Sequence, residues 1–234
     1  MKLTYIVNAR IPTEKAHGVQ IMKMCEAFAC AGYVVELVVP NRGDVSLDPF
    51  AEYGVERSFS IKRLPVVNFF GYEKFGFTIS SLSFMVSVFF FMLFDRKSDL
   101  YYSRFQDHFS FLPFVFARKP YFFEVHGPTE KSTAYSMLLS RISGVVATNS
   151  FIKDKIIENY PNLSKKVIVR PNGVDTQKYE RIKESQATLR EQLGLPHQKV
   201  LIGYIGKLET MGVSKGVDDL IFAFSEVVKR GVQN

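Results

Sequence analysis

Short apolar runs alternate with helical patterns along most of this chain, and that alternation constrains the fold more than any other feature. The runs are rich in branched and aromatic residues, and they predict strands at 3–8, 33–39, 58–64, 99–103, 120–125, 144–148 and 166–170. A repeated strand–helix order is typical of a parallel sheet with helices on both faces. We therefore predict an α/β fold built on a doubly wound parallel sheet.

An interdomain linker is predicted from Asn172 to about Glu180, because Pro171-Asn172-Gly173 is a turn signal. Residues 1–175 are then one domain and residues 176–234 belong to another. The second stretch contains one strong strand prediction, at 200–206, followed by a loop and a helix with Ser214 as its N-cap. A single strand has no sheet to join, so we expect residues 176–234 to be the beginning of a domain.

The stretch from Phe77 to Phe94 carries no charged residue and reaches the lower length limit of a transmembrane helix. However, its first half contains several Ser and Thr residues, and it lies where a crossover helix is due. The favoured interpretation is a crossover helix that is buried or touches a membrane. A true span and an interfacial helix that needs lipid to dock are the alternatives.

The net charge of +7 at pH 7 indicates an anionic partner, such as a nucleotide, a phosphate or an acidic membrane surface. The basic residues form no arginine-rich tract and no nucleic-acid-binding motif, so no nucleic acid partner is expected. The first eight residues read as a strand without a cleavage region, which predicts a cytoplasmic protein. No residues have metal-ligand spacing, so neither a metal nor another cofactor is expected.

Polar residues follow the predicted strands where they end, and parallel strands end at one edge of a sheet. The cleft candidates near this edge are Arg10, Lys15, His17, Arg104, Glu124, Asn149 and Asn172. Two residues of the second stretch, Lys207 and Lys215, are expected to face the same edge. A cleft lined by Arg, Lys, His and Asn suits a diphosphate and a hydroxyl-rich sugar.

His126 is the strongest candidate for a catalytic residue. Alternation along its strand places Phe122, Glu124 and His126 on one face and Phe123 on the other. A glutamate inside an apolar strand needs a partner. A histidine at the strand end can donate to a substrate hydroxyl or assist proton transfer, and a structural histidine is the alternative.

Phosphate-binding features occur in both predicted domains. His17-Gly18 opens a predicted helix, whose free N–H groups and positive end favour phosphate. Lys207 follows the strand at 200–206, and Lys215 falls in the first turn of the next helix, where a cation opposes the helix dipole. Two lysines at such a corner indicate a phosphate site, with solvated surface lysines as the alternative.

Together these segments resemble GT-B glycosyltransferases of the large retaining family 4 type. The resemblance covers nearly all 234 residues. It is carried by 10–18, 31–40, Phe123-Glu124-Val125-His126-Gly127, Arg170-Pro171-Asn172-Gly173-Val174-Asp175, Gly206-Lys207 and Lys215-Gly216-Val217. It implies an acceptor-side Rossmann-like domain over 1–175 and the beginning of a second Rossmann-like domain, which binds the nucleotide-sugar donor, over 176–234.

The resemblance implies a hexosyltransferase that uses a UDP- or GDP-sugar and retains configuration, with a glycan, a lipid-linked sugar or a small molecule as acceptor. Lys207 and Lys215 are then expected to neutralise the donor diphosphate, and the backbone of Gly18 to approach it. His126 is expected to hydrogen-bond the transferred sugar. No protein nucleophile and no metal are implied. The basic charge and the phenylalanine-rich helix favour an acceptor at a membrane surface, and the expected location is cytoplasmic and peripheral on the inner membrane face.

Two departures from the family pattern bear on these expectations. Ala16-His17-Gly18 stands where many relatives have paired glycines. The acidic E-x7-E motif, which grips the donor sugar and ribose, is absent, so we expect a truncated form of a longer enzyme. The alternatives are a UDP-sugar epimerase-like GT-B enzyme, a non-catalytic membrane-associated remnant, and a nicotinamide oxidoreductase, which the missing glycine fingerprint weakens.

Overall fold

A computed structural model describes residues 1–42, 46–67, 73–104, 112–127, 131–176, 182–206, 208–210 and 213–231. The chain divides into two compact units, Met1–Gly173 and Val174–Asn234. Their boundary lies in the predicted linker, close to the predicted division after residue 175.

The first unit is built on a seven-stranded sheet in which every pair of neighbouring strands is parallel. The strands are β1 Lys2–Ile6, β2 Val34–Pro40, β3 Ser60–Leu64, β4 Leu100–Arg104, β5 Tyr121–Val125, β6 Gly144–Ala147 and β7 Val167–Val169. Their order across the sheet is β3-β2-β1-β4-β5-β6-β7. The chain thus winds outward from β1 in one direction and from β4 in the other, which confirms the doubly wound prediction. Ligands bind such sheets at the switch point, here between β1 and β4.

Helices connect these strands and cover both faces of the sheet. They are α1 Ala16–Cys30, α2 Pro49–Tyr53, α3 Glu73–Phe94, α4 Thr133–Ser140 and α5 Ser150–Asn159, with short 3-10 helices at Leu112–Phe116 and Pro161–Leu163. Helix α2 was not predicted. It is capped by Asp48, whose side chain accepts a hydrogen bond from the N–H of Phe50, and it ends at Gly54.

Two apolar cores lie on the two sides of the sheet. One contains Tyr121, Phe123 and Val125 of β5, together with side chains of α3, α4 and α5. The other contains side chains of β1, β2 and α1, and Phe122 of β5 packs against it. The alternation predicted along β5 is therefore confirmed, and Glu124 shares the face of Phe122.

The apolar stretch at Phe77–Phe94 lies within α3. This helix connects β3 to β4 of one sheet and packs on it through Phe84 and Val88, which are fully buried. Gly76–Phe94 is the single helix among the described residues that is long enough and apolar enough to cross a membrane, judged by length and composition. Because one side of α3 rests on the sheet, the geometry favours the crossover interpretation over the span.

The second unit contains α6 Gln186–Gln192, a two-stranded antiparallel ladder of β8 Glu209–Thr210 and β9 Val213–Ser214, and α7 Val217–Lys229. The strand predicted at 200–206 is not formed; this segment has no regular secondary structure and is exposed. A buried strand needs neighbouring strands to satisfy its backbone groups, and the described part of this unit offers it none.

The start of α7 also differs from the prediction. Ser214 belongs to β9, and Gly216 is the N-cap, with a φ of 73° in the left-handed region that favours glycine. Asp218 and Asp219 occupy the first turn, where carboxylates complement the helix dipole. Lys215 therefore precedes the helix instead of lying in its first turn.

Candidate active site

Glu124 is buried at the end of β5, beside the switch point, with 3% of the residue's surface exposed. The hydroxyl of Tyr102 donates to its Oε2 atom at 2.6 Å. The Nε2 atoms of Gln20 and His126 both contact its Oε1 atom. Glu124 thus has the partners that a carboxylate inside an apolar strand requires, which confirms that prediction.

Local geometry brings these side chains together. β4 and β5 are neighbours, with Arg104 opposite Glu124, so Tyr102 and Arg104 share the sheet face of Glu124. Gln20 reaches the same point from α1, the helix that follows β1. The cluster therefore combines the two sides of the switch point.

Glu124 is the anion of this cluster. Burial raises the pKa of Glu124, but hydrogen bonds from His126, Tyr102 and Gln20 outweigh burial, and the pKa lies below its ordinary value. Burial and the charge of Glu124 raise the pKa of Tyr102, so its hydroxyl keeps the proton that it donates. Glu124 is consequently ionised at neutral pH.

The ionised carboxylate determines which ring nitrogen of His126 carries the proton. A carboxylate only accepts hydrogen bonds, so the Nε2 atom of His126 must carry the proton between them. In the neutral ring, Nδ1 is then an acceptor that points away from Glu124. The His126 side chain is 18% exposed, whereas that of Glu124 is 4% exposed, so the histidine is the more accessible member of the pair.

Arg104 and His17 lie near the cluster. Burial lowers the pKa of Arg104, while the neighbouring Tyr5, Glu124 and Tyr102 oppose that shift. Burial also lowers the pKa of His17, and the charges of Arg104 and Lys15 lower it further. Because its ordinary value is already 6.5, His17 is neutral at pH 7, and Arg104 supplies the positive charge here.

Asn172 joins the cluster through Gln20, whose Nε2 atom donates to its Oδ1 atom at 3.3 Å. The structure therefore brings together Glu124, His126 and Asn172 of the predicted residues. Arg104 and His17 are close enough to share their electrostatics. The catalytic and binding roles of these residues stay predictions.

Other predicted site residues have contacts of their own. Asn149 caps α5, where its Oδ1 atom accepts the N–H of Ile152 at 2.8 Å. Arg10 is exposed and pairs with Glu14. Lys15 is exposed at the N-cap position of α1 and makes no side-chain cap.

The two predicted donor-binding lysines do not belong to the first unit. Lys207 lies outside the described residues. Lys215 is exposed in the second unit. Their predicted contact with a diphosphate stays a prediction.

Gly18 is buried in the first turn of α1 and has a packing role. Its N–H donates to the carbonyl oxygen of Lys15 at 2.9 Å. A Cβ atom at this position would meet the hydroxyl of Tyr53 and would lie 2.7 Å from Cγ2 of Thr13. Its predicted approach to phosphate stays a prediction.

We expect Gly18→Ala to lower the free energy of unfolding by about 1–3 kcal/mol, because the added methyl group overpacks this contact. Urea denaturation measures the change. Gly173→Ala is the matched control, because a Cβ there meets nothing within 4 Å. Equal urea midpoints for the two variants would contradict the packing role.

The sequence reading missed Gln20 and Tyr102. Both carried a usable signal, because Gln20 lies three residues after His17 on one helix face, and Tyr102 lies two residues before Arg104 on one strand face. Among the residues that the structure describes, no group of three or more His, Cys, Asp or Glu side chains is placed to hold a metal ion. That the reaction needs no metal stays a prediction.

Solved structures with this fold include the catalytic domain of starch synthase IV from Arabidopsis thaliana, bound to ADP and acarbose. It is 14% identical with a TM-score of 0.59, over 99% of this chain and 67% of that chain. The UDP-N-acetylglucosamine 2-epimerase from Rickettsia bellii is 12% identical with a TM-score of 0.53, over 84% of this chain and 52% of that chain.

The UDP-GlcNAc 2-epimerase from Neisseria meningitidis, bound to UDP-GlcNAc, is 14% identical with a TM-score of 0.53, over 82% of this chain and 53% of that chain. At these identities the likeness shows the fold alone, and it confirms the predicted GT-B, Rossmann-like class. The chain spans about half the length of the two epimerase structures. The search of curated proteins gave no match.

The sequence profile of the family described as Glycosyltransferase Family 4 matches residues 17–178. That range is more than half of the chain, and it runs from His17 through the Glu124 cluster to beyond Asn172. The predicted resemblance is thereby confirmed. The chain belongs to Glycosyltransferase Family 4.

Proposed function

We propose that this chain is part of a retaining hexosyltransferase that moves a sugar from a UDP- or GDP-sugar to an acceptor hydroxyl. The observation that carries the proposal is the buried Glu124, which contacts the Nε2 atom of His126 beside the switch point of the sheet. Ligands bind at such switch points. The ADP in the starch synthase and the UDP-GlcNAc in the Neisseria epimerase support a nucleotide diphosphate as the donor group.

His126 is the residue that meets the transferred sugar. In the neutral ring, Glu124 accepts the Nε2–H, which leaves the Nδ1 atom to accept a hydrogen bond from a sugar hydroxyl. Gln20, which contacts both Glu124 and Asn172, keeps this corner of the site in one arrangement. Fixed orientation of the donor sugar reduces the entropy that the reaction must lose.

In the transfer step, the bond between the anomeric carbon and the β-phosphate oxygen breaks. The acceptor oxygen bonds to that carbon on the same face, and its proton passes to the departing phosphate oxygen. Lys207 and Lys215 neutralise the charge that grows on the nucleotide, so they lower the barrier instead of only tightening binding. Neither a protein nucleophile nor a cofactor takes part.

The acceptor belongs to residues 1–175 in this proposal, and the donor nucleotide to the domain that begins at residue 176. The acceptor is a glycan, a lipid-linked sugar or a small molecule. The reaction takes place in the cytoplasm and uses a nucleotide-sugar as donor. The enzyme is peripheral on the inner face of the membrane.

Titration calorimetry with UDP and GDP tests the donor assignment. We expect Lys215→Ala to raise the Kd of the bound nucleotide at least about fivefold, since one charge contact is worth about 1 kcal/mol in bulk water. Lys199→Ala, another exposed lysine of the second unit, is the control and is expected to leave the Kd unchanged. Failure to bind either nucleotide, with no nucleotide release from a panel of UDP- and GDP-sugars, would reject the proposed function.

A UDP-sugar epimerase is the second candidate, because two epimerases share the fold at TM-scores above 0.5. The products separate the two reactions. A transferase releases the free nucleotide and forms a glycoside, whereas an epimerase converts the UDP-sugar into its stereoisomer without transfer. Proton NMR of the reaction mixture resolves these outcomes.

A further inference from the structure

The side of α3 that faces away from the sheet is apolar and exposed. Together with one residue of the neighbouring 3-10 helix, it forms an apolar face that consists of Leu82, Val86, Phe89, Phe90, Leu93, Phe94 and Phe116. The six helical positions follow the spacing i, i+4, i+7, i+8, i+11 and i+12, which places them on one side of the helix. The ring of Phe116 meets that of Phe89 edge to face, with 6.0 Å between their centroids.

This exposure is unusual for a crossover helix. Only 22% of the apolar stretch is buried, and Phe94 and Phe116 are 75% and 69% exposed. The buried side of α3 contains Ser81, Phe84 and Val88, which rest on the sheet. Exposed apolar patches of this kind mark sites that interact with a protein, a ligand or a membrane.

Four cations border the apolar face and form a basic rim: Arg96, Lys97, Arg118 and Lys119. Arg96 and Lys97 lie in the loop that connects α3 to β4, and Arg118 and Lys119 lie just before β5. Because neighbouring parallel strands begin at one edge of the sheet, the four residues lie together. The ammonium of Lys119 also donates to the carbonyl oxygen of Ser98, which ties the two loops to each other.

Two carboxylates of the same loop, Asp95 and Asp99, offset only part of this positive charge. Asp95 accepts hydrogen bonds from the N–H of Lys97 and the hydroxyl of Tyr101, each at 3.0 Å. Asp99 accepts the N–H of Lys2 at 2.6 Å. Among the described residues, no ion pair involves a residue of the basic rim. Four cations against two carboxylates leave net positive charge on the rim beside an apolar surface.

We propose that the apolar face and the basic rim dock on the surface of an anionic lipid bilayer, with α3 lying in the plane of the interface. Apolar side chains of interfacial helices enter the boundary between headgroups and acyl chains, and lysines and arginines pair with lipid phosphates. The docking needs no nucleotide and does not depend on the proposed sugar transfer.

Two other occupants fit the same face less well. A second copy of the chain would bring two basic rims together across a symmetric interface, and like charges would repel. A transmembrane orientation of α3 would require lipid on the side that holds Phe84 and Val88 against the sheet. The cations instead complement the phosphate groups of a bilayer surface.

Co-sedimentation of the 234-residue protein with vesicles tests the proposal. One set of vesicles is phosphatidylcholine, and the other is an equal mixture of phosphatidylcholine and phosphatidylglycerol. We expect the partition coefficient to be at least about tenfold higher for the anionic vesicles and to fall as salt screens the rim. Binding to neither set of vesicles would overturn the proposal.

Matched variants locate the contact. The pair Phe90→Ser and Phe94→Ser is expected to lower partitioning into the anionic vesicles about tenfold or more, because both rings lose their burial in the interface. The control pair is Met137→Ser and Phe151→Ser, which removes comparably exposed side chains from α4 and α5. Equal losses for the two pairs would contradict docking through α3.

A second comparison separates the basic rim from the net charge. Changing Arg96, Lys97 and Arg118 to Gln is expected to lower partitioning on the order of 100-fold. Changing Lys131, Lys153 and Lys199 to Gln removes the same charge elsewhere and should have a much smaller effect. Circular dichroism and urea midpoints verify that each variant folds.

Two further outcomes would assign the apolar face to another occupant. A concentration-dependent dimer in sedimentation equilibrium, dissociated by Phe90→Ser and Phe94→Ser, would replace the bilayer with a second copy of the chain. Resistance of the vesicle-bound protein to extraction at alkaline pH would indicate a span. Surface docking predicts that alkali releases the protein. It also predicts that vesicle binding is lost both in the Phe90 and Phe94 variant and in the variant of the basic rim.

Discussion

We expect His126→Ala to lower the kcat/KM of sugar transfer by at least about 100-fold. The ring of His126 is held by an ionised carboxylate and is the exposed member of that pair. Its removal leaves the transferred sugar without the group that orients it, and misplacement by about 1 Å costs on the order of 100-fold in rate. The loss should fall mainly on kcat if the contact strengthens as the glycosidic bond breaks.

Release of nucleotide from the donor and formation of glycoside provide two readouts of the same experiment. His197→Ala is the matched control, since this histidine is exposed in the second unit. His126→Gln keeps a side chain that can accept a hydrogen bond, and we expect it to recover part of the lost rate. A kcat/KM for His126→Ala equal to that of the parent enzyme would remove His126 from the catalytic site.

The strands of the first unit were predictable because the local sequence pattern of each strand agrees with its position in the sheet. β5 reads as a continuous apolar run, as a strand with both faces covered should. Period-two alternation then assigned Glu124 to one face, and the cost of a buried unpaired carboxylate required a partner for it. None of these steps depended on distant residues.

The partner of Glu124 could not be identified in the same way. Gln20 lies 104 residues earlier in the chain, and its contact with Glu124 depends on how α1 packs on the sheet. Helix periodicity defines which residues share a face, but not the rotation at which that face meets the sheet. Helix α2 was missed for a different reason, since Pro49–Tyr53 is too short to show a period.

The segment at 200–206 shows the limit of a local pattern. Its apolar run predicts a buried strand, yet a strand is stabilised by hydrogen bonds to its neighbours. The described part of the second unit offers antiparallel pairing between β8 and β9 and no neighbour for 200–206. Local propensity therefore predicted an element whose formation depends on residues distant in sequence.

We expect Glu124→Ala to have the largest effect on stability, lowering the free energy of unfolding by about 2–6 kcal/mol, because each buried donor left without an acceptor costs about 1–3 kcal/mol. The substitution leaves the hydroxyl of Tyr102 and the amide of Gln20 without their buried acceptor. Glu124→Gln keeps the shape of the side chain, and we expect a smaller loss of about 1–3 kcal/mol, because its amide nitrogen cannot accept. Glu158→Gln, at an exposed pair with Lys155, should cost less than about 1 kcal/mol.

The pH dependence of this difference tests whether Glu124 is ionised. The folded pKa of Glu124 lies below its ordinary value of 4.5, so its charge contributes stability that is fully present above that pH. This contribution is lost as the pH falls from 4.5 through the folded pKa. Urea midpoints should therefore differ by a constant amount between the parent and Glu124→Gln near neutral pH, and the difference should shrink in acid.

A difference that stays constant down to acid unfolding would mean that Glu124 does not carry its charge in the folded protein. A protonated Glu124 could donate to His126, and the Nε2 atom would no longer need to hold the proton. The ring would then be free to present a donor instead of an acceptor to the sugar. The stability measurement therefore decides which ring nitrogen of His126 carries the proton. The proposed role of this residue in sugar transfer depends on that assignment.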